Sequence, residues 1–405
     1  MTSVEDQTVN PRRPFLPVHA PLLGAQEIRY VTEALTNSEI SGTYGKFLDR
    51  FEREFADYCN CSHGVATSSG TTALHLALAS LGIGPGDEVL VSTLTNMATF
   101  FAVLYQGATP VPVDVEEDTW NLNPALLESL VTSRTKAILV VHLYGHPADM
   151  DPILDFARRH RLNVIEDVAE AHGALYKGRK VGSFGNIGCF SFYANKIITT
   201  GEGGMITTND LALAERARSL RSLAFGRENK FMHAAIGFNY RMTNLQAALG
   251  CAQLERIDAV IENKRRVARL YTEQLSDLPE VQLPAEKPYA RNVYWMYHVV
   301  LRKLSRADRD AVMQRLSQRG IEIRPAFIPY NLQEVFIQKG MTRPELCPVA
   351  NRIADSGFYL PSSSNLNEEE IIYVSRQLRE VLNEVKHSSF QLPAQAKRKV
   401  SSANR

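Results

Sequence analysis

The residues best suited to chemistry lie in Phe190-Ser-Phe-Tyr-Ala-Asn-Lys-Ile-Ile-Thr-Thr-Gly-Glu-Gly-Gly204. One lysine, Lys196, follows an aromatic run and is itself followed by aliphatic residues and a glycine-dense turn. Burial disfavours an ammonium, so a lysine in such surroundings can have a lowered pKa and act as a nucleophilic amine. Amines of that kind condense with carbonyl compounds to form Schiff bases. Most lysines are exposed and inert or snorkel to water, so this reading needs support from elsewhere in the chain.

Two other stretches offer that support. Ser68-Ser-Gly-Thr71 follows a short strand and opens an apolar helix. Free N–H groups, the helix dipole and hydroxyl side chains make such a place a good phosphate seat. Ser and Thr are also ordinary N-caps, and the two readings are compatible. Glu166-Asp-Val-Ala-Glu-Ala-His-Gly173 follows a second short strand. A carboxylate at the end of that strand can hold a protonated ring nitrogen. The alternatives are a solvated loop or a carboxylate–histidine metal site, and no second ligand cluster supports a metal. His142 and His146 have a zinc-motif spacing without its glutamate, and Gly145 and Pro147 would break the helix it requires.

The elements that must position these residues are an alternation of strands and helices. Strands are expected at 65–67, 88–91, 111–115, 137–141 and 163–165, with helices at 73–81, 97–106, 124–130 and 152–160. This pattern implies a parallel sheet flanked by helices, with ligands outside the carboxyl ends of the strands. Two helices precede it, at 25–37 and 47–58, the first with Ile28, Val31 and Leu35 on its apolar face. A hairpin-like excursion at 173–181, a strand at 189–193 delivering Lys196, a strand at 205–208 and a helix at 211–223 come after it. One long helix is expected from 244 to 275. Beyond about 281 the pattern changes to strands at 295–300 and 321–323 with helices at 306–319, 345–356 and 367–386. The division expected is a disordered arm (1–14), a large domain (15–275), a smaller α+β domain (276–387) and a disordered basic tail (388–405).

The 405 residues carry 45 basic and 44 acidic side chains, which argues against nucleic acid or an anionic membrane as a main partner. The start has no secretion-signal pattern and no apolar run approaches membrane-spanning length. A soluble cytoplasmic protein is expected. Its five cysteines are odd in number and scattered, which fits reduced thiols.

In order along the chain, Ser69-Gly-Thr-Thr-Ala-Leu-His75, Gly82-Ile-Gly-Pro-Gly-Asp-Glu-Val89, Val164-Ile-Glu-Asp-Val-Ala-Glu170, Phe190-Ser-Phe192 with Lys196, Gly201-Glu-Gly-Gly204 and Gly237-Phe-Asn-Tyr-Arg-Met-Thr-Asn244 resemble the motifs of the DegT/DnrJ/EryC1/StrS sugar aminotransferases. The resemblance spans about residues 15–385. It implies a fold-type I transferase dependent on pyridoxal 5'-phosphate, in which Lys196 forms the Schiff base and shuttles a proton while Asp167 pairs with the pyridine nitrogen. It places Ser69, Gly70, Thr71 and Ser191 on the phosphate, with Asn239 reaching the phosphate in a neighbouring subunit, hence a homodimer with shared active sites. Glu170 lies beside the cofactor. Asn96 stands where many relatives have an aromatic residue on the cofactor ring. On the substrate side the expected residues are Tyr44, Glu170, Arg241, Tyr330 and Asn331, the last near a position where relatives often have histidine.

Within the family, Glu170, the run 140–151 and Asn195–Thr200 are similar to enzymes that move an amino group from glutamate to C4 of GDP-4-keto-6-deoxymannose. Another nucleotide-linked 3- or 4-keto sugar, or a keto-sugar acid, is the alternative acceptor. A dehydratase of this family would have histidine in place of Lys196. A DNA-binding regulator would need a helix-turn-helix or a basic stripe, and the first forty residues show neither.

Overall fold

The computed structural model describes residues 15–390 except 227, 228, 230 and 234. The expected arm at 1–14 lies outside the described residues, as does the expected tail (388–405) from residue 391 on; its first three residues instead continue the last helix, Glu368–Phe390.

Two helices come first, α1 (Ala25–Thr36) and α2 (Lys46–Tyr58). Helix α2 buries the apolar face that its spacing predicts: Phe47, Leu48, Phe51 and Phe55. Helix α1 does not. Glu27 and Ala34 are buried, while Ile28 and Leu35 are 69% and 55% exposed. The reason is polar: Glu27 accepts hydrogen bonds from the Gly24 N–H (2.8 Å) and Gln253 Nε2 (2.6 Å), which turns the aliphatic residues outward.

The alternation then runs β1 (His63–Thr67), α3 (Gly70–Ser80), β2 (Glu88–Ser92), α4 (Ala98–Tyr105), β3 (Thr109–Val113), α5 (Leu127–Leu130), β4 (Thr135–Val141), α6 (Met150–His160) and β5 (Asn163–Asp167). After a hairpin of β6 (Leu175–Tyr176) and β7 (Arg179–Lys180) come β8 (Ile187–Ser191), β9 (Gly204–Thr208) and α7 (Leu211–Arg221). The main sheet has the order β1-β9-β8-β5-β4-β2-β3. Strands β3, β2, β4, β5 and β8 pair in parallel. Strand β9 departs from the expectation by pairing antiparallel with both β8 and β1. Its connection to β8, residues 192–203, contains no helix, the element that usually carries a parallel crossover.

The long helix expected over 244–275 is two helices, α8 (Asn244–Leu254) and α9 (Ile257–Leu275). Arg256 leaves helical geometry at φ −121°, ψ 11°. Side chains from other elements hold the joint: Tyr30 and Arg50 donate to Glu255 at 2.6 and 2.8 Å, and Arg256 pairs with Glu27 at 3.0 Å. Helix α9 faces two hydrophobic clusters. Ile257, Val260 and Ile261 pack with the main sheet, and Val267, Ala268, Tyr271 and Leu275 pack with a second set of elements.

That second set comprises β10 (Val281–Gln282), β11 (Ala290–Arg291), β12 (Tyr297–Leu301), α10 (Arg306–Gln318), β13 (Arg324–Pro325), α11 (Glu334–Gln338), α12 (Pro348–Ser356), β14 (Gly357–Leu360) and α13 (Glu368–Phe390). Its antiparallel sheet runs β10-β12-β14-β13, while β11 joins the β6–β7 hairpin. The strand expected at 321–323 falls later, at β13; Ile321 instead bridges to Leu16.

Candidate active site

A cavity of about 360 Å³ opens where the carboxyl ends of β1, β2, β4, β5 and β8 meet residues of the second sheet. Ser69, Gly70, Thr71, Asn96, Asp167, Glu170, Ser191 and Lys196 all line it. Thr95, Thr99, Trp295, Arg324, Phe327 and Tyr359 also line it, none of them among the expected site residues.

Ser69 caps α3, its Oγ accepting from the Thr72 N–H at 3.2 Å. The N–H groups of the first helical turn have no partner within the helix. Gly70 lets this turn approach β8. A Cβ there would lie 2.6 Å from the Ser191 Cβ, and one on Gly204 would lie 2.3 Å from the Ser69 carbonyl oxygen. A side chain at either position would push the start of α3 away from β8 and β9.

Strand β5 ends in two carboxylates that alternate in direction. Glu166 is fully buried and accepts from the N–H groups of Gly182, Phe184 and Gly185, each at 2.7 Å, with His142 Nε2 at 3.1 Å. Asp167 faces the cavity instead. The Thr99 hydroxyl donates to its Oδ2 at 2.9 Å and the Ala169 N–H to its Oδ1 at 3.1 Å. Burial raises the Asp167 pKa, and those two donors with Lys196 oppose the rise. Burial pushes Glu170 up to about 7, with the Lys196 charge and a 2.8 Å bond from the Tyr144 N–H opposing it.

Lys196 lies on the loop after β8, its N–H donating to the Tyr193 carbonyl at 2.9 Å. Its Nζ is 4.0 Å from the centre of the Trp295 ring. Burial lowers its pKa and the charges of Glu170 and Asp167 only partly restore it. The cavity thus holds a nucleophilic amine, a buried carboxylate and a helix N-terminus with a glycine cradle. This donor set fits an aromatic aldehyde that carries a phosphate and a ring nitrogen.

Four residues expected on the substrate side lie away from this cavity, and so does Asn239, expected to reach a neighbouring subunit's phosphate. Asn239 is exposed, in an isolated bridge with Ser222. Arg241 donates to Ser222 Oγ at 3.1 Å, and exposed Tyr44 donates to the Ser38 carbonyl at 3.3 Å. Tyr330 and Asn331 are fully buried. Tyr330 stacks on Phe100 with ring centres 4.2 Å apart, and Asn331 bonds Thr93, Asn351 and the Pro344 carbonyl at 2.8–3.0 Å. Both are core residues because the chain turns inward after Ile328, leaving Arg324 and Phe327 at the cavity. Thr99 could have been found from its place in the first turn of the helix that follows β2, outside a strand's carboxyl end. Trp295 and Tyr359 carry no local signal, since only tertiary packing brings them here.

Residues 21–379 match the model of the DegT/DnrJ/EryC1/StrS aminotransferase family. The chain is 47% identical to a GDP-perosamine synthase of Caulobacter vibrioides, covering 91% of this chain and 99% of the relative. It is 39% identical to the dTDP-3-amino-3,4,6-trideoxy-alpha-D-glucose transaminase of Streptomyces venezuelae over 91% of this chain and 96% of the relative. The crystal structure of S. venezuelae DesV with a ketimine intermediate superposes with a TM-score of 0.83 at 37% identity, covering 91% and 98% of the two chains. The family match, the shared architecture and the amine–carboxylate cavity agree. The chain belongs to the DegT/DnrJ/EryC1/StrS family and is a sugar aminotransferase that depends on pyridoxal 5'-phosphate.

Proposed function

We propose that the protein transfers an amino group from L-glutamate to C4 of GDP-4-keto-6-deoxy-D-mannose, forming GDP-perosamine. The observation that carries the reaction is the convergence of Lys196, Asp167 and Glu170 on one cavity. The 47% identity to a GDP-perosamine synthase supports the acceptor. When bound, pyridoxal phosphate supplies an electron-withdrawing ring that stabilises negative charge on the substrate carbon.

The protein's own residues then have distinct tasks. Ser69, Gly70, Thr71 and Ser191 bind the phosphate. Asp167 holds a proton at the ring nitrogen, and the Thr99 and Ala169 donors keep it ionised and oriented. The Lys196 amine holds the cofactor and moves the proton at the donor's α-carbon. Glu170 and Asn96 contact the cofactor from the cavity wall. Arg324 and Phe327 contact the substrate.

A second copy completes the assembly in this proposal. Exposed Ile28, Leu35, Ile40 and Tyr44, with Phe231, Met232 and Ile236, are apolar surface that a homodimer would cover. Asn239, Arg241 and Tyr44 would then serve the partner's cavity. No helix among the described residues is long and apolar enough to cross a membrane, and no group of metal ligands is found among them. The relative acting on a dTDP-sugar supports a second reading, amination of another nucleotide-linked keto sugar.

The test is a coupled assay with glutamate across GDP-, dTDP- and UDP-linked keto sugars. Turnover is expected with the GDP sugar, and loss of both turnover and the visible cofactor band in Lys196→Ala. Parental turnover in Lys196→Ala would refute the mechanism. Turnover only with dTDP or UDP sugars would discard the acceptor alone.

A further inference from the structure

Lys196 has one close partner that is neither acid nor base. The Trp295 ring centre lies 4.0 Å from its Nζ, well inside the distance at which an aromatic face attracts a cation. The indole is 3% exposed, and three contacts fix it. Its Nε1–H donates to the Asn195 carbonyl at 2.6 Å, one residue before the lysine. Its ring is nearly parallel to that of Tyr144, at 15° with centres 6.5 Å apart. Its backbone carbonyl accepts from Lys264 Nζ at 3.0 Å. Lys264 is buried and its Nζ also donates to the Ser362 carbonyl at 2.5 Å. The indole is therefore braced on the cavity side and from beneath.

An amine that alternates between covalent attachment and proton transfer needs a resting place while it is free. A carboxylate would bind its ammonium strongly and compete for the proton. An aromatic face attracts the charge without accepting the proton. We propose that Trp295 is a positioning residue for Lys196, its ring face seating the free ammonium between covalent engagements. This rests on the role proposed above for Lys196. The carboxylates Asp167 and Glu170 also favour its charge and the imidazoles of His19 and His172 sense it, so Trp295 supplies a share of its proton affinity together with its placement.

The test uses the full-length protein saturated with pyridoxamine phosphate, which leaves the Lys196 amine free. Trace labelling with acetic anhydride across pH, read by peptide mass spectrometry, gives the midpoint of Lys196. Trp295→Leu is expected to lower that midpoint by about one pH unit, a tenfold loss of proton affinity. Trp295→Phe, which keeps a ring but loses the Nε1–H bond, should retain at least half of the difference. Melting temperatures establish that both variants are folded. The proposal is overturned if Trp295→Leu titrates within about 0.2 units of the parent, or if Phe and Leu are equivalent, which would assign the effect to the Asn195 bond. Failure of the underlying reading looks different: the parent would give no visible band with pyridoxal phosphate, or Lys196→Ala would keep it.

Discussion

Removing the Thr99 hydroxyl isolates one interaction of Asp167 with little change in shape. Thr99→Val replaces a hydroxyl by a methyl within α4 and deletes the 2.9 Å hydrogen bond to Asp167 Oδ2. Hydrogen bonds to charged groups contribute about 1.5–3 kcal/mol. At about 1.4 kcal/mol per pH unit, the loss raises the Asp167 pKa by about 1–2 units. The sign follows from which form the bond favours: Thr99 donates, so it stabilises the ionised carboxylate, which burial already disfavours. On the proposed mechanism, protonated Asp167 no longer holds a proton on the ring nitrogen, so the acid limb of the glutamate half-reaction moves upward. Rapid mixing with glutamate between about pH 5 and 9, followed by loss of the visible band, measures it. Thr99→Ser should restore the parental limb. Thr95→Val should move it less, because the Thr95 hydroxyl lies 3.0 Å from that of Thr99 and acts on Asp167 through it. An acid limb displaced by less than about 0.3 units in folded Thr99→Val would refute the reasoning.

Two further perturbations test the supporting structure. Burial lowers the Lys264 pKa from 10.5 to about 7, so between those values the unfolded chain binds more protons than the folded one. Stability therefore rises with pH across that window, by at most about 1.4 kcal/mol per unit. Lys264→Met removes this term, and the parent's advantage over the variant should grow by about 1–3 kcal/mol from pH 7 to 9 in denaturant unfolding; a constant difference contradicts it. Asn331→Ala should cost about 2–4 kcal/mol, because it strands buried partners, and leave KM for both substrates unchanged. Unchanged stability with a raised KM would return Asn331 to the substrate side.

Much of this organisation is legible in the sequence because it is local. The strand–helix alternation follows from hydrophobic periodicity. Ser69, Asp167 and Ser191 stand at or just beyond the ends of β1, β5 and β8, so finding the strands finds them. Features set by distant partners are not legible. The outward face of α1 depends on Glu27 being claimed by Gln253. The break at Arg256 depends on Tyr30 and Arg50 gripping Glu255. The reversal of β9 turns on how the loop after β8 closes, and Tyr330 reads as a polar aromatic near the cavity until Phe100 is found stacked on it. Trp295 stands almost a hundred residues from the lysine it touches, and no local pattern marks it.

Neighbouring carboxylates on β5 have a practical consequence for anyone dissecting this enzyme. Glu166 looks like a natural bystander control for Asp167: same charge, adjacent position, equally buried. It is in fact the knot that ties His142 and three amides of the 182–185 turn to the strand. Neutralising it would unfasten the segment leading into β8 and displace Lys196 with it. A loss of activity on changing Glu166 would therefore look chemical while its origin was architectural, and the comparison would teach the wrong lesson about both residues.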